Sequence, residues 1–436
     1  MTEINAYNAD TRPGWLGPGG RLLEGEFAAW FRNKHRLACV DGHFFGVEGC
    51  VHDESKLRKA IYEELRPWVF TGLARKVDAL LEAMRLEYRE DQLRLENTRI
   101  HVANGTLDLI HGFSPVKEIC RSRLPVEYDE SSWPPELWLR FLDELLEPED
   151  IDTLQEFMGY CLIPTTVAQK MLLIIGEGGE GKSRVGVVLG ALLGRNMNTG
   201  SLSKVENNTF AVADLENKLL MVDDDLRLEA LKKTDRIKSL VTAELPMDLE
   251  RKGVQSYQGT MYVRFMGFGN GTLQALHDRS FGFFRRQIIL TAKPRPGDRV
   301  DDPFLGTRLK QELPGIFIWA VQGLMRLLGN DFRFTESRGS RENLRESMLQ
   351  GNNVLDFMES EGYFYYDPCG STPTRSLYRA YRDWCEDNAI VPLGSKSFSG
   401  FLIQNQQRYG IRHIKNVRIG NGRNARGFAG LSLCGP

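Results

Sequence analysis

Residues 172–183 read LLIIGEGGEGKS, an apolar run that enters a glycine-rich turn and ends in a lysine and a serine. A helical pattern, RVGVVLGALLG, follows at once. Gly176, Glu177, Gly178, Gly179, Glu180, Gly181, Lys182 and Ser183 fit G-x-x-x-x-G-K-[ST] with a strand before and a helix after, the context that makes the motif a phosphate-binding loop. No other stretch constrains the fold as much, because such a loop joins a buried parallel strand to a helix. Its glycines let several N–H groups converge on phosphate oxygens, and the helix N-terminus adds positive potential. Lys182 is then expected to reach the β and γ phosphates of ATP, and the Ser183 hydroxyl to bind Mg²⁺.

A loop of this kind needs a carboxylate at the end of a neighbouring strand. KLLMVDDDL, residues 218–226, supplies one: the apolar run Leu219 to Val222 is followed by Asp223, Asp224 and Asp225. The first is expected to hold the metal through its coordinated waters and the second to orient or deprotonate the attacking water, although any of the three aspartates can fill either part. Three like charges in a row repel one another, which favours a cation among them. A third apolar run ends in GFGNG, where Asn270 can position the hydrolytic water or simply form a turn. SFGFFRRQIIL then offers Arg285 and Arg286 before another apolar run. One of them is a candidate arginine finger, supplied from a neighbouring subunit to stabilise charge on the transferred phosphoryl.

The 436 residues exceed what one compact core holds, so two or three domains are expected. Residues 1–150 read as an α+β region, with turn signals at Asp41-Gly42, Glu48-Gly49 and Asn104-Gly105 and helical patterns in SKLRKAIYEELRPWVF and ARKVDALLEAMRLEY. Two amphipathic patterns, SSWPPELWLRFLDELL and DIDTLQEFMGYCL, close that region, and their Ser and Asp starts look like N-caps. Residues 151–330 alternate short apolar runs with helices, the pattern of an α/β domain. TESRGSRENLRES reads as a linker, and residues 345–436 as helices followed by a two-stranded ribbon, which suggests a winged helix.

A net charge of −2 argues against a chain coated with basic patches, but the distribution is uneven. From Val391 onward, Lys396, Arg408, Arg412, Lys415, Arg418, Arg423 and Arg426 occur with no Asp or Glu and are interleaved with Phe398, Phe401, Tyr409 and Phe428. That composition suits a surface facing nucleic-acid phosphates, with Lys396, Arg412 and Lys415 as candidate contacts. The seven cysteines form no CxxC pair and suit reduced thiols, and with no apolar stretch of membrane-spanning length a cytoplasmic location is expected. Cys39, His43, Cys50 and His52 lie close in sequence, but the hairpin pattern sends alternate side chains to opposite faces, so no metal site is expected there.

Taken in order, these motifs resemble the poxvirus, phage and plasmid primase-helicase family, whose motor belongs to helicase superfamily 3 within the AAA+ ATPases. The resemblance runs from about residue 20 onward. It takes in NGTLDL, LPVEYD and WLRFLDELL before the glycine loop, NNTFAVADLENKLLMVDDDL, DRIKSLVTAELPMDLERKG and ELPGIFIWAVQGLMRLL after it, and LYRAYRDWC with SFSGFL near the carboxy terminus. It implies an α/β AAA+ P-loop ATPase core, an α+β helicase-associated domain before it and a carboxy-terminal winged helix. It also implies a hexameric ring around DNA, into whose channel a β-hairpin projects. MDLERKGVQSY fits that hairpin, with Arg251 and Lys252 near its tip. Two features depart from the family: only about 150 residues precede the motor with no carboxylate constellation for primer synthesis, and DDD stands where many relatives carry a glutamate. A separate primase or polymerase partner is implied.

The resulting expectation is an ATP-dependent DNA helicase for replication of a phage, plasmid or other mobile element, translocating on single-stranded DNA. An origin-binding initiator that melts duplex DNA and a non-hydrolysing, nucleotide-switched assembly protein are the alternatives.

Overall fold

The computed structural model describes residues 12–93, 95–226, 234–253, 255–270, 281–298, 300, 302–351, 353–388, 390–419 and 423–434. The chain divides into two compact units, Met1–Leu273 with Arg285–Arg341, and Gln274–Phe284 with Glu342–Pro436.

At the centre of the first unit is a parallel sheet of five strands, in the spatial order Met197–Thr199, Leu220–Leu226, Arg264–Gly269, Met171–Ile175, Gln287–Thr291. The strand that enters the glycine loop is therefore interior, flanked by the strands that lead to Asn270 and out of Arg286. Both faces of this sheet are covered, which is why its strands read as unbroken apolar runs rather than alternating ones. Leu172, Ile174, Val222, Met266, Phe268, Ile288 and Leu290 join one hydrophobic cluster with the helix Ser183–Leu193. Gly186 lets that helix lie close to the sheet: a Cβ there would stand 2.9 Å from a ring carbon of Phe268.

The same cluster also takes in Ile100, Val102, Trp138, Phe141 and Phe157, so residues on both sides of position 150 share one core. In the helix Glu136–Leu145, Trp138, Phe141, Leu142 and Leu145 fall at i, i+3, i+4 and i+7 and are buried. The helix begins after Pro135, and the serines upstream belong to a separate short turn, Glu130–Ser132, capped by Asp129. The next helix, Pro148–Tyr160, starts on its proline with no side-chain cap. Neither expected Ser or Asp cap forms: in the first helix the Glu312 carboxylate accepts from Leu137 N at 3.0 Å and Trp138 N at 2.9 Å, and in the second Pro148 presets the first turn and has no N–H to satisfy.

Helix Pro148–Tyr160 crosses helix Leu313–Gly329 backbone to backbone. A Cβ on Gly159 would lie 2.4 Å from the carbonyl oxygen of Ala320, and one on Gly323 2.4 Å from that of Gln155. Arg326 fastens the crossing by donating to the buried Glu156 at 2.6 Å and to Gln155 Oε1 at 2.8 Å. A second cluster, with Trp15, Phe27, Phe31, Phe44, Leu80 and Tyr88, forms a separate core near the amino terminus. There the Asp41-Gly42 turn, with φ of 51° and 78°, joins Ala38–Val40 to His43–Gly46. At the other two expected turns the register closes one residue earlier: Gly46 lies opposite Gly49 and Val102 opposite Gly105, so Val47-Glu48 and Ala103-Asn104 are the turns and each glycine is the first strand residue.

Arg338–Gly351, expected as part of a linker, is a helix. Ser337 starts it by accepting from Ser340 N at 2.8 Å, and its hydroxyl donates to Asp150. The glycine and charged residues that suggested a loop lie on an otherwise helix-compatible segment once that cap is made.

The second unit runs helix Asn353–Glu359, strand Phe364–Pro373, helices Thr374–Asp387 and Ser395–Gln404, and the strand pair Arg412–Ile419 and Arg423–Leu433. Its three strands are antiparallel, with the last in the middle. Phe357, Tyr381, Trp384, Phe398 and Phe428 make its core. Tyr381 stacks on Phe398 with centroids 4.7 Å apart and donates to Asn353 Oδ1 at 2.6 Å. Among the described residues no helix is long and apolar enough to cross a membrane.

The glycine crossing yields a prediction. Gly323→Ala forces two helix backbones apart and should lower stability by about 1–3 kcal/mol, the usual cost of overpacking a close-packed core. A denaturant midpoint unchanged from the parent would show that the crossing tolerates a methyl group.

Candidate nucleotide-binding site

Parallel strands end on one edge of a sheet, and there the glycine loop, the acidic strand and Asn270 meet. A cavity of about 1230 Å³ is lined by Gly178, Gly179, Glu180, Gly181, Lys182 and Ser183 with Asp224, Asp225 and Asn270. Arg140, Glu144, Arg295 and Arg308 also face it, and Leu137, Phe141, Val187, Pro303 and Leu305 give it an apolar side. Those apolar residues beside a charged loop suit an aromatic base attached to phosphates.

The loop's conformation explains its composition. Gly178, Gly179 and Gly181 have φ of 116°, 83° and 107°, values that side chains resist, so the turn cannot form without glycine at these places. Gly176 N donates to Gly269 O at 3.1 Å and ties the loop's start to the strand that ends at Asn270. Ser183 is exposed at the first residue of its helix. Lys182 is buried, and its Nζ donates to Glu180 Oε2 at 2.6 Å.

The acidic strand sorts its three aspartates. Asp223 sits opposite Gly267 and Leu226 opposite Gly269, with a register shift between them. The one extra residue makes the strand bulge outward, leaving Asp224 and Asp225 exposed on the cavity while Asp223 is buried. Asp223 Oδ2 accepts from Leu202 N at 2.8 Å. Burial pushes its carboxyl above the ordinary range, and its charged neighbours Asp225 and Asp224 add to the rise, while backbone N–H groups of Leu202 and Asp225 oppose it. Of the three aspartates, Asp224 and Asp225 thus join the loop in the cavity and Asp223 braces the strand end.

Arg285 and Arg286 lie at the amino-terminal end of Gln287–Thr291 and do not line the cavity. Arg285 is exposed, and Arg286 O accepts from Met171 N at 2.7 Å. A strand of this length separates them from the cavity's edge by about 16 Å.

The charged hairpin forms with Met247–Leu249 paired to Tyr257–Gly259. Lys252 is exposed at its turn, beside Gly253 with φ 77°. Arg251 is turned back: it donates to Glu216 Oε2 at 2.9 Å and to the Tyr257 hydroxyl at 2.8 Å. Tyr257 donates to the same Glu216 oxygen at 2.6 Å, and His43 Nε2 lies 3.1 Å from it. Glu216 is buried, which alone would raise its carboxyl, but its partners His43, Tyr257 and Arg251 hold it below the usual range. His43 is thereby engaged with Glu216, and no group of three metal-ligating side chains occurs among the described residues. In the second unit Lys396, Arg412 and Lys415 are exposed, as are Arg418 and Arg426, and none of these is in an ion pair among the described residues.

Arg140, Glu144, Arg295 and Arg308 escape sequence reasoning, since nothing in their spacing marks them. Arg140 and Glu144 do carry one signal: they fall on the face of Glu136–Leu145 opposite its apolar stripe.

Comparison with known proteins adds to this geometry. Residues 174–286 match the model of a family of unknown function (DUF5906). Residues 349–422 match a model described as poxvirus D5 protein-like. No curated protein matches. Among solved structures, the apo structure of the NrS-1 C terminal region is similar with a TM-score of 0.51 at 10% identity, over 92% of this chain and 97% of that chain. Two A form apo structures of the same region give 0.49 at 10% identity, over 92% of this chain and 97% of those. The first of these likenesses bears on the fold alone, and the D5-like match supports the resemblance to the primase-helicase family.

The sorting of the aspartates can be tested by stability. Asp223→Ala leaves the buried Leu202 N–H without its acceptor and should cost about 1–3 kcal/mol, whereas Asp223→Asn keeps an acceptor and should cost less. Asp224→Asn, on the exposed bulge, should leave chemical denaturation unchanged within about 0.5 kcal/mol. Equal losses at both positions would refute the distinction.

Proposed function

We propose that the chain is an ATP-dependent DNA helicase of the superfamily 3 AAA+ class, acting in replication of a mobile genetic element. The observation that carries this reading is the convergence in one cavity of Lys182, Ser183, Asp224, Asp225 and Asn270, each at the carboxyl end of a neighbouring parallel strand or in the turn that follows it. The poxvirus D5-like match supports a role in replication.

In this reading the loop N–H groups and Lys182 hold the phosphates and the apolar residues around Leu137 and Phe141 take the base. The Ser183 hydroxyl and the carboxylates of Asp224 and Asp225 are hard oxygen donors facing one cavity, a set that suits Mg²⁺, with Asp223 behind them bracing the strand end. Bound there, Mg²⁺ neutralises charge on the phosphates. With Ser183 and Asp225 on the metal, Asp224 is the carboxylate that accepts the proton of the attacking water, and Asn270 orients that water.

Arg285 and Arg286 are too far from their own cavity to take part in it. That supports one of them as the arginine finger for a neighbouring subunit, and with it a ring, hexameric in this family. Lys252, exposed at the hairpin turn, is the contact to single-stranded DNA in the channel. Arg251 acts behind it, holding the hairpin's base to Glu216. The second unit's order of helix, strand, two helices and strand pair supports the winged-helix reading. Its exposed Lys396, Arg412 and Lys415 supply the phosphate-facing surface.

Steady-state ATP hydrolysis with and without DNA tests the proposal. Single strands should stimulate turnover, Lys182→Ala should abolish it, and Asp224→Asn should bind ATP yet lose at least about 100-fold in rate, the scale of lost general-base catalysis. Lys252→Ala should weaken single-strand binding and flatten its salt dependence. Stimulation only by particular duplexes would favour the origin-binding initiator, and Mg²⁺-dependent binding without turnover would favour the assembly switch.

A further inference from the structure

The glycine loop already holds an anion of its own. Glu180 is 3% exposed, and its carboxylate lies across the turn. Oε2 accepts from Lys182 Nζ at 2.6 Å, and Oε1 accepts from the backbone N–H of Gly178 at 2.6 Å. A Cβ on Gly176 would stand 2.6 Å from Glu180 Oε1 and 2.9 Å from Lys182 Nζ, so the pair spans the floor of the loop as well.

These are the donors that a loop of this type offers to phosphate. A glutamate and a lysine two residues apart in an exposed turn would gain little by pairing. Here both side chains are out of water, with 3% and 8% of their surface exposed, so neither can lose the other cheaply. Burial alone would raise the carboxyl, but Lys182 and the N–H groups of Glu180 and Gly178 hold it below its ordinary range. At neutral pH the group across the loop is a carboxylate.

We propose that Glu180 is the resident anion of the nucleotide site, and that phosphates enter by exchanging with its carboxylate on Lys182 and Gly178. The inference rests on the reading of this loop as a nucleotide site and adds its regulation. Every ligand that uses these donors meets the same competitor, so Glu180 weakens binding of triphosphate and diphosphate alike. Its return to Lys182 helps expel the diphosphate after hydrolysis. A ligand without phosphate does not meet the competitor.

The test compares the parent protein with Glu180→Gln, which keeps the shape and removes the charge, and with Glu180→Ala, which removes both contacts. Binding of a non-hydrolysable ATP analogue, ADP and inorganic tripolyphosphate is measured by calorimetry with Mg²⁺, and unfolding temperature is measured without ligand. The expected result is opposite in sign for the two readouts. The variants unfold at lower temperature without ligand yet bind all three ligands about tenfold more tightly, the scale of one lost charge-assisted contact. ADP should also dissociate more slowly from them. A merely structural Glu180 would lower stability and affinity together, and that result, or parental affinity in both variants, overturns the inference while leaving the nucleotide reading intact. Failure of the parent and both variants to bind any of the three ligands overturns the two together.

Discussion

Because Met171–Ile175 pairs in parallel with Arg264–Gly269 on one side and Gln287–Thr291 on the other, every strand of the central sheet delivers its carboxyl end to the same edge. The glycine loop, the acidic bulge and Asn270 are distant in sequence and become neighbours only through this pairing. The pairing in turn needs both faces of the sheet to be buried, and helix Ser183–Leu193 on Gly186 and the shared core with Trp138 and Phe157 provide that cover. The site is thus a product of the core: a sheet that lost its register would scatter the loop and the carboxylates together.

At the acidic strand, sheet geometry divides labour that composition leaves undivided. Three consecutive aspartates look equivalent on paper. One residue of the run is paired in the ladder and turns inward to the amide of Leu202, while the bulge that follows, before pairing resumes at Leu226, turns the next two toward the cavity. A buried carboxyl group with a backbone donor thus stands behind two exposed ones, the same residue type in two different environments.

Much of this was legible beforehand where a local rule decides the outcome. The apolar runs around Leu172, Val222, Phe265 and Ile288 announce buried parallel strands, and the glycines at 178, 179 and 181 announce a turn that only glycine can make. What escaped depends on contacts between distant segments. The helix Arg338–Gly351 hides behind glycine and charge because its cap, Ser337, is steadied by Asp150 far upstream. Arg251, read at a hairpin tip, bends back because Glu216 and Tyr257 offer a buried partner that no spacing reveals. Arg295 and Arg308 reach the cavity from a segment whose path is set by the core, and the inward turn of Glu180 follows from the loop's own curvature.

Glu216 also has a mechanical consequence. Its buried carboxylate is shared by Arg251 and Tyr257 from the base of the hairpin and by His43 from the amino-terminal meander, and a Cβ on Gly259 would stand 2.9 Å from its other oxygen. Three side chains on three segments meet at one carboxylate, which fastens the base of the hairpin to the amino-terminal meander. A displacement at Arg251 or Tyr257 is therefore felt through Glu216 at His43 in the amino-terminal meander.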